Sequence, residues 1–394
     1  MGGLSPARLD KSRVRLILAA LKMRFRAVFP AASFALAALA MAAPAQGSIP
    51  ALLQHAANEL RRDGAPGVAI VAVVKGRTYY ENAGTSDPSG APVTPRTLFE
   101  TASISKVFTT TLLGIEVAQG HKSLGARITK YIHRHVTPEM AHATLGMLAT
   151  YTAGIPNLPP ALARRPSDEW GLADYSVRKF VNFIARLRPG TLPAARVYSD
   201  ASVGFLALCL SHMNLAAWQH QQERTLYFPL GMRDTTAIPN ADQASRLAQG
   251  ITPDGLPAKR WPLDAFAAAD GVKSTTHDLG KFLGAELGRE RGLPAGIPLG
   301  MEISTQPRFS IANGTILQAL AWTWVPAEVH GTPIWIVTKG GNLVGFCSRI
   351  SFNRNLKIGV AILASHPSLP VDRVATNLLE QIAQQEYASV RAER

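Results

Sequence analysis

The strongest constraint on the fold of this 394-residue chain is that its strand-forming segments lie near both ends. Gly67–Val74 is a nearly continuous Val-rich apolar run, typical of a strand buried on both faces. Lys75-Gly76-Arg77 then turns into a second run at 78–83, which predicts a hairpin. Further strands are predicted near the C-terminus, at 319–324, 333–338, 343–352 and 356–364. A single sheet built from both groups requires the two ends of the chain to meet.

Helical patterns flank and interrupt these strands. The spacing of apolar residues predicts one helix at Ile49–Arg62 and a closing helix that carries Val371 and Ile382. The segment 120–300 shows mainly helical and loop patterns, which predict an inserted helical domain. The predicted α/β domain is then formed by residues 46–119 and 301–394.

The first 45 residues have the pattern of a secretory signal peptide. A head of 26 residues, with seven basic side chains and one acid, precedes the apolar run Ala31–Ala43. Ala43-Pro44-Ala45 follows as a small-residue cleavage pattern, and a 13-residue run is short for crossing a bilayer. We predict cleavage near Gln46, a periplasmic location and no stable membrane anchor, with an uncleaved anchor as the alternative. The start is left open between Met1 and Met23.

The formal net charge of +14 is not gathered into a nucleic-acid-binding motif. Beyond the leader, basic residues are dispersed, which predicts no nucleic-acid partner and favours anionic small molecules or an anionic cell-wall surface. Export would permit a disulfide between Cys209 and Cys347, but we predict two buried free thiols. We expect a monomer.

Three short motifs indicate nucleophilic catalysis by a serine. Ser103 and Lys106 are three residues apart, which places both side chains on one helical face, where a lysine activates a hydroxyl. This pattern alone is weak, because four-residue matches arise by chance in long chains. Tyr198-Ser199-Asp200 and Lys339-Gly340-Gly341 follow in the order and approximate spacing of serine penicillin-recognising enzymes.

Longer segments make the resemblance specific: the chain is similar to class C β-lactamases. The segments that carry the similarity are Met147–Gly154, Phe228–Met232, Gly271–Thr275 and Asn355–Val360. The similarity runs from about Gly67 to Leu379. It implies an α+β protein, with an antiparallel sheet flanked by helices, a second all-helical domain and a site between them.

The resemblance also implies the role of each site residue. Ser103 is expected to be the acylating nucleophile, Lys106 its adjacent cation or base, and Tyr198 the phenol or phenolate relay. Lys339 is expected to polarise Tyr198 and to meet the substrate carboxylate. The backbone N–H groups of Ser103 and Asn342 are expected to form an oxyanion hole. Two lysines beside Tyr198 predict a lowered pKa for its phenol.

Departures from the family pattern affect the substrate more than the nucleophile. Asp200 replaces an asparagine whose amide donates to the substrate, and an ionised carboxylate only accepts. It is expected to pair with Lys106 or Lys339, or to stay protonated. Gly340 lacks a family hydroxyl, and Asp270 replaces a tyrosine of the pocket wall. The candidate substrate-binding residues are Asp200, Asp270, Gly340, Gly341 and Asn342.

We therefore predict a serine hydrolase that opens β-lactam rings through a Ser103 acyl-enzyme, with specificity tilted toward carbapenems. The alternatives are an esterase, a D-amino-acid peptidase or penicillin-binding protein that acts on cell-wall peptide, and a non-hydrolysing binder. The serine mechanism needs no cofactor. A zinc site at His133, His135 and His142 is a weaker alternative to a solvated loop.

Overall fold

The computed structural model describes residues 47–164, 172, 175–260, 263–290 and 292–392, with side chains as far as residue 386. The predicted leader and its cleavage site lie outside these residues. Residues 46–394 form one compact unit, so the boundaries at 119 and 300 stay predictions. In the described ranges no single helix is long and apolar enough to cross a membrane; one bent pair, Asp200–Leu210 with Leu215–Tyr227, passes by length and composition alone.

Strands and helices alternate along the described part of the chain. The strands are β1 Gly67–Val74, β2 Arg77–Gly84, β3 Phe99–Glu100, β4 Lys273–Ser274, β5 Phe309–Ile311, β6 Ile316–Gln318, β7 Thr323–Val329, β8 Thr332–Leu343, β9 Phe346–Asn353 and β10 Ile358–Ala364. The helices are α1 Ile49–Arg62, α2 Ser105–Ala118, α3 Leu145–Ala149, α4 Pro160–Ala163, α5 Val177–Arg186, α6 Asp200–Leu210, α7 Leu215–Gln222, α8 Ala241–Ser245, α9 Ala267–Asp270, α10 Thr276–Glu286, α11 Gly296–Thr305 and α12 Val371–Ala392.

Eight strands form one antiparallel sheet in the order β2-β1-β10-β9-β8-β7-β6-β5. The neighbouring strands β1 and β10 come from opposite ends of the chain and pair from Val68 with Ala364 to Val74 with Ile358. This pairing confirms the prediction that the two ends meet in one helix-flanked antiparallel sheet. The short strands β3 and β4 pair with each other outside the large sheet.

The alternation of side chains in β1 explains its unbroken apolar run. Val68 and Ile70 point into a core shared with α1 and α12, whereas Ala69 and Val71 point into a second core on the opposite face. All eight residues of β1 are buried, so both faces need apolar side chains. Each fully buried Val or Ile contributes about 1.5–3 kcal/mol of hydrophobic stabilisation. On the second face the helix α10 packs on β1 and β10, although its residues come from inside the segment 120–300.

Two predicted strand boundaries near the C-terminus are wrong. The strand predicted at 333–338 continues to Leu343, so Lys339-Gly340-Gly341 lies within β8 and not at its end. The run Ala319–Trp324 is not one strand, because the Ala319 N–H donates to Trp322 O and closes a turn between β6 and β7. These residues are apolar because the turn is buried, and in the sequence a short apolar run of this kind looks the same as a buried strand.

The helix α2 forms the floor beneath the site. Every residue from Ser105 to Glu116 is buried, because α2 is enclosed by α6, α9 and α11. Its contact with α11 is very close: a Cβ added to Gly114 would lie 2.2 Å from Gly300 O. Glycine at this crossing therefore brings the two backbones together and fixes the height of the residues at the start of α2.

Candidate active site

Ser103 lies in a tight turn, Ala102–Ile104, immediately before α2. Ala102 has a φ of 47°, a left-handed conformation that is unfavourable for a residue with a Cβ. The turn is held by Ser105 Oγ, which donates to Ala102 O across 2.6 Å. Ser103 is 9% exposed, so its hydroxyl is reachable from one side while the rest of the residue is enclosed.

The Ser103 hydroxyl uses its full hydrogen-bonding capacity within the described residues. Its oxygen accepts from Lys106 Nζ across 2.8 Å and from Tyr198 Oη across 2.8 Å. It donates its own proton to Asp270 Oδ1 across 2.7 Å. One donor and two lone pairs are thereby all engaged. The structure thus brings together Ser103, Lys106 and Tyr198 as predicted, and adds the carboxylate of Asp270.

Lys106 is fully buried between two carboxylates. Its Nζ lies 2.7 Å from Asp200 Oδ1 and 2.9 Å from Asp270 Oδ1, and it also donates to Ala269 O across 3.1 Å. Burial opposes the charge, but Asp200 and Asp270 outweigh it and hold the pKa of Lys106 well above that of a free lysine. An ammonium has no lone pair, so in this state Lys106 acts as a cation and not as a base.

Tyr198 bridges Ser103 and the second lysine. Its hydroxyl oxygen accepts from Lys339 Nζ across 3.2 Å, while its proton is donated to Ser103 Oγ. The prediction of a lowered pKa is wrong: burial raises the pKa of Tyr198, and the lowering effect of Lys106 is opposed by Asp200 and Asp270. Neither the burial of Tyr198 nor the closeness of the two carboxylates can be seen from the sequence. Tyr198 is therefore a protonated phenol at neutral pH.

Lys339, unlike Lys106, changes its charge near neutral pH. Burial, together with repulsion from Lys106, lowers the pKa of Lys339 to about 7, although Asp200 and Asp270 act in the opposite direction. Its Nζ lies 4.4 Å from the centroid of the Tyr198 ring. Near neutral pH, Lys339 is therefore divided between the ammonium and the amine, and a bound anion would favour the ammonium.

Strand β8 lies directly against the nucleophile. A Cβ added to Gly341 would lie 2.5 Å from Thr101 O and 2.7 Å from Ser103 N, so only glycine permits this approach. The next residue, Asn342, is exposed and pairs with Cys347 of β9. Gly340 faces the other way, because its missing side chain would meet the ends of Arg349 and Asp372. These last two form an ion pair of 2.8 Å.

The two aspartates are positioned by their backbone neighbours. Asp270 ends α9, and Val272 just beyond it is tied to the nucleophile segment: its N–H donates to Ser105 Oγ across 3.0 Å, and its carbonyl accepts from Thr101 N across 3.0 Å. Asp200 begins α6, and its N–H donates to Asn157 Oδ1 across 2.9 Å. Both carboxylates therefore approach Lys106 from rigid helix ends.

Other predicted residues lie away from this group. His133, His135 and His142 are exposed, and no cluster of three His, Cys, Asp or Glu side chains suited to a metal occurs in the described ranges. Cys209 and Cys347 are buried free thiols, which confirms that prediction, and burial raises the pKa of both.

Several residues of the site were not found from the sequence. Ser348 Oγ donates to Thr101 O across 2.8 Å and so fastens the nucleophile segment to β9. The Tyr151 ring lies 5.0 Å from that of Tyr198, and Arg196 covers Tyr151 at 5.3 Å. Tyr151 was visible only as part of the family segment, and nothing in the sequence signalled Arg196 or Ser348. A cavity of about 660 Å³ reaches Arg196 but is not lined by Ser103, Lys106, Tyr198 or Lys339.

The helix-flanked sheet and this hydrogen-bonded serine group define the class as a serine hydrolase. The family model described as Beta-lactamase matches residues 52–385. The chain therefore belongs to the β-lactamase family, which confirms the resemblance seen in the sequence. A β-lactamase of Escherichia coli (strain K12) is 30% identical over 287 residues, which cover 72% of this chain and 72% of that relative.

Solved structures agree with this assignment. The β-lactamase/D-alanine carboxypeptidase from Pseudomonas syringae has a TM-score of 0.73 and 25% identity, and the match covers 85% of this chain and 98% of that one. A class C β-lactamase from Rhodobacter sphaeroides has a TM-score of 0.73 and 24% identity, with 86% and 99% covered. The latter likeness shows a shared fold.

Proposed function

We propose that this protein hydrolyses β-lactams through an acyl-enzyme on Ser103. The observation that carries the proposal is the Ser103 hydroxyl, which accepts from both Lys106 and Tyr198 at 2.8 Å in a chain of the β-lactamase family. A serine held in this way is oriented for attack on a carbonyl carbon. Attack forms the bond from Ser103 Oγ to the lactam carbon, and collapse breaks the bond from that carbon to the lactam nitrogen.

Each neighbouring group has a role in this reaction. The backbone N–H groups of Ser103 and Asn342 are the proposed donors to the developing oxyanion. Lys106 stays charged and stabilises the negative charge that builds up beside it. Tyr198, as a protonated phenol, donates its proton to the departing lactam nitrogen. A water molecule then cleaves the ester and releases Ser103.

Lys339 is proposed to bind the carboxylate of the substrate. The pKa of about 7 means that the free enzyme carries this charge only in part at neutral pH. An arriving carboxylate stabilises the ammonium and so completes the protonation. A substrate without a carboxylate gains nothing from this interaction, which separates β-lactams and peptide stems from simple esters.

The position of Asp200 favours carbapenems among β-lactams. Its carboxylate pairs with Lys106 at 2.7 Å and offers no donor to an acylamino carbonyl. Penicillins and cephalosporins rely on that side chain, whereas carbapenems lack it. We propose that the resulting loss falls mainly on penicillins and cephalosporins.

We also propose that the enzyme acts in the periplasm after removal of its leader. The support is the basic head, the apolar run and Ala43-Pro44-Ala45 at the start of the sequence.

Hydrolysis assays with four substrates test the proposed activity. Wild type is expected to turn over a cephalosporin and a carbapenem, Ser103→Ala neither, and the exposed-serine control Ser310→Ala both at wild-type rates. A D-alanyl-D-alanine peptide and an aryl ester are included because the Pseudomonas syringae relative is named as both a β-lactamase and a D-alanine carboxypeptidase. Turnover of peptide or ester without turnover of either β-lactam would overturn the proposal in favour of a peptidase or an esterase.

A further inference from the structure

We propose that Asp270 is the general base that takes the proton of Ser103 during acylation, whereas Tyr198 is the proton donor to the leaving group. This inference rests on the proposed function of Ser103 as the acylated residue. Of the three side chains hydrogen-bonded to Ser103 Oγ, Lys106 and Tyr198 donate to it. Asp270 Oδ1 instead receives the serine proton across 2.7 Å. The proton to be removed therefore already points at Asp270.

The carboxylate of Asp270 is fixed in place. The residue is 5% exposed, and its Oδ1 lies 2.9 Å from Lys106 Nζ, so one oxygen contacts both the nucleophile and its cation. Two residues further along, Val272 is hydrogen-bonded to Thr101 and Ser105, which lie on either side of the turn that carries Ser103. A group held this firmly against a nucleophile is preorganised for proton transfer.

The other groups around Ser103 are less suited to accept its proton. The charged groups and phenol that face the Ser103–Asp270 pair are Lys106, Tyr198, Asp200 and Lys339. Lys106, between two carboxylates, keeps its proton, and burial keeps the proton of Tyr198 on the phenol. Asp200 contacts Lys106, and Lys339 reaches the serine only through Tyr198. Asp270 is thus the acceptor in direct contact.

The two roles close a balanced proton cycle. In acylation the serine proton moves to Asp270, the bond from Oγ to the carbonyl carbon forms, the lactam C–N bond breaks, and Tyr198 protonates the nitrogen. The resulting phenolate lies beside Lys106 and Lys339. In deacylation the phenolate takes a proton from water, the hydroxide attacks the ester, and the departing Ser103 Oγ recovers its proton from Asp270.

Acylation rates measured with two substrates distinguish the proton acceptor, Asp270, from the proton donor, Tyr198. A chromogenic cephalosporin needs a proton on its leaving nitrogen, whereas p-nitrophenyl acetate releases a stable phenolate and needs none. Asp270→Asn keeps the volume and an accepting oxygen, and is expected to lower the acylation rate constant about 10²- to 10⁴-fold on both substrates. Tyr198→Phe is expected to do so on the cephalosporin but to cost less than about tenfold on the ester.

The pH profile distinguishes a base from a residue that merely orients the serine. If acylation needs a general base, its rate with the ester should fall at acid pH in wild type, and this fall should be absent in Asp270→Asn. Asp200→Asn removes the other carboxylate from Lys106 without touching Ser103, and is expected to keep the fall at acid pH. Thermal unfolding of each variant checks its fold.

Two results with an enzyme that is acylated by the ester would overturn the proposal. One is Asp270→Asn acylating on both substrates within about tenfold of wild type with its acid limb intact. The other, which needs no variant, is a wild-type ester profile that stays flat down to acid pH. Wild type acylated by the ester but not by the cephalosporin would reject the β-lactamase function while the ester arm still tests Asp270. Acylation by neither substrate would overturn both.

Discussion

Lys106 Nζ lies 2.7 Å from Asp200 Oδ1. The carboxylate of Asp200 is therefore engaged in an ion pair at the position where the family has an asparagine that donates a hydrogen bond. Burial and the nearby Asp270 raise the pKa of Asp200, while Lys106 opposes the shift. The raised pKa brings protonation of Asp200 closer to neutral pH than for a free aspartate, and a protonated carboxyl regains one donor. Selectivity among β-lactams should therefore depend on this one residue and on pH.

Asp200→Asn should restore activity toward acylamino β-lactams. The asparagine amide donates to the substrate carbonyl at nearly constant volume, a gain of about 1 kcal/mol, or about five- to tenfold. The measurement is the ratio of kcat/KM for a cephalosporin to that for a carbapenem in both proteins. In wild type this ratio should rise on acidification, and in Asp200→Asn it should not. A ratio that is the same in both proteins at neutral pH would show that Asp200 does not contribute to recognition of the acylamino side chain of the substrate.

Activity should fall as the pH rises through about 7, because Lys339 then loses its proton. The charged form is needed to bind the carboxylate and to stabilise the Tyr198 phenolate, so kcat/KM should decrease about tenfold per pH unit above that value. Lys339→Arg supplies a charge that does not titrate in this range. Its kcat/KM should be lower overall but free of the alkaline limb. A wild-type profile that is level to pH 9 would refute this role for Lys339.

Gly341→Ala should disrupt both the fold and the oxyanion hole. The added Cβ would lie 2.5 Å from Thr101 O and 2.7 Å from Ser103 N, which are backbone atoms that cannot move aside easily. We expect a loss of about 1–3 kcal/mol in the free energy of unfolding and a decrease of about 10²- to 10³-fold in acylation. Denaturant unfolding and acylation kinetics measure the two effects.

The matched control for this substitution is Gly340→Ala in the same strand. Its Cβ would meet Arg349 Nη1 at 2.8 Å and Asp372 Oδ1 at 3.0 Å, which are ends of flexible side chains. The cost should stay below about 1 kcal/mol, since these ends can shift. Equal losses in the two variants would show that the approach of Gly341 to Ser103 has no special importance.

Exported protein should begin near Gln46. This prediction is based on the signal-peptide pattern that ends at Ala43-Pro44-Ala45. N-terminal sequencing of the protein from a periplasmic extract is the measurement, with the cytoplasmic fraction as the control. A protein in that extract that begins at Met1 or Met23 would contradict the predicted cleavage.

The fold was predictable wherever burial leaves a simple pattern. The buried strand Gly67–Val74 and the helix Ile49–Arg62 were predicted with the observed bounds, because apolar residues there follow the geometry of a strand and of a helix. The pattern failed at Ala319–Trp322, where a turn is buried and its residues are apolar for that reason. Strand ends were less certain because glycines such as Gly340 and Gly341 weaken the apolar signal within β8.

The site was predictable as a set of residues but not as an electrostatic arrangement. The motifs brought Ser103, Lys106, Tyr198 and Lys339 together, and the structure places them in one hydrogen-bonded group. The family resemblance places Asp270 only in the pocket wall, because nothing near it in the sequence indicates a contact with Ser103, 167 positions away. Burial of Tyr198, with the charges of Asp200 and Asp270 added to it, reverses the expected shift in the pKa of its phenol.

The most direct test of the account is mass spectrometry of the mature protein mixed with a cephalosporin or a carbapenem. We predict an adduct on the peptide that contains Ser103, which forms and then decays as product accumulates, and no adduct in Ser103→Ala. Time points from milliseconds to minutes resolve its formation and decay. Hydrolysis without any adduct on Ser103, or an adduct on another residue, would contradict the central claim.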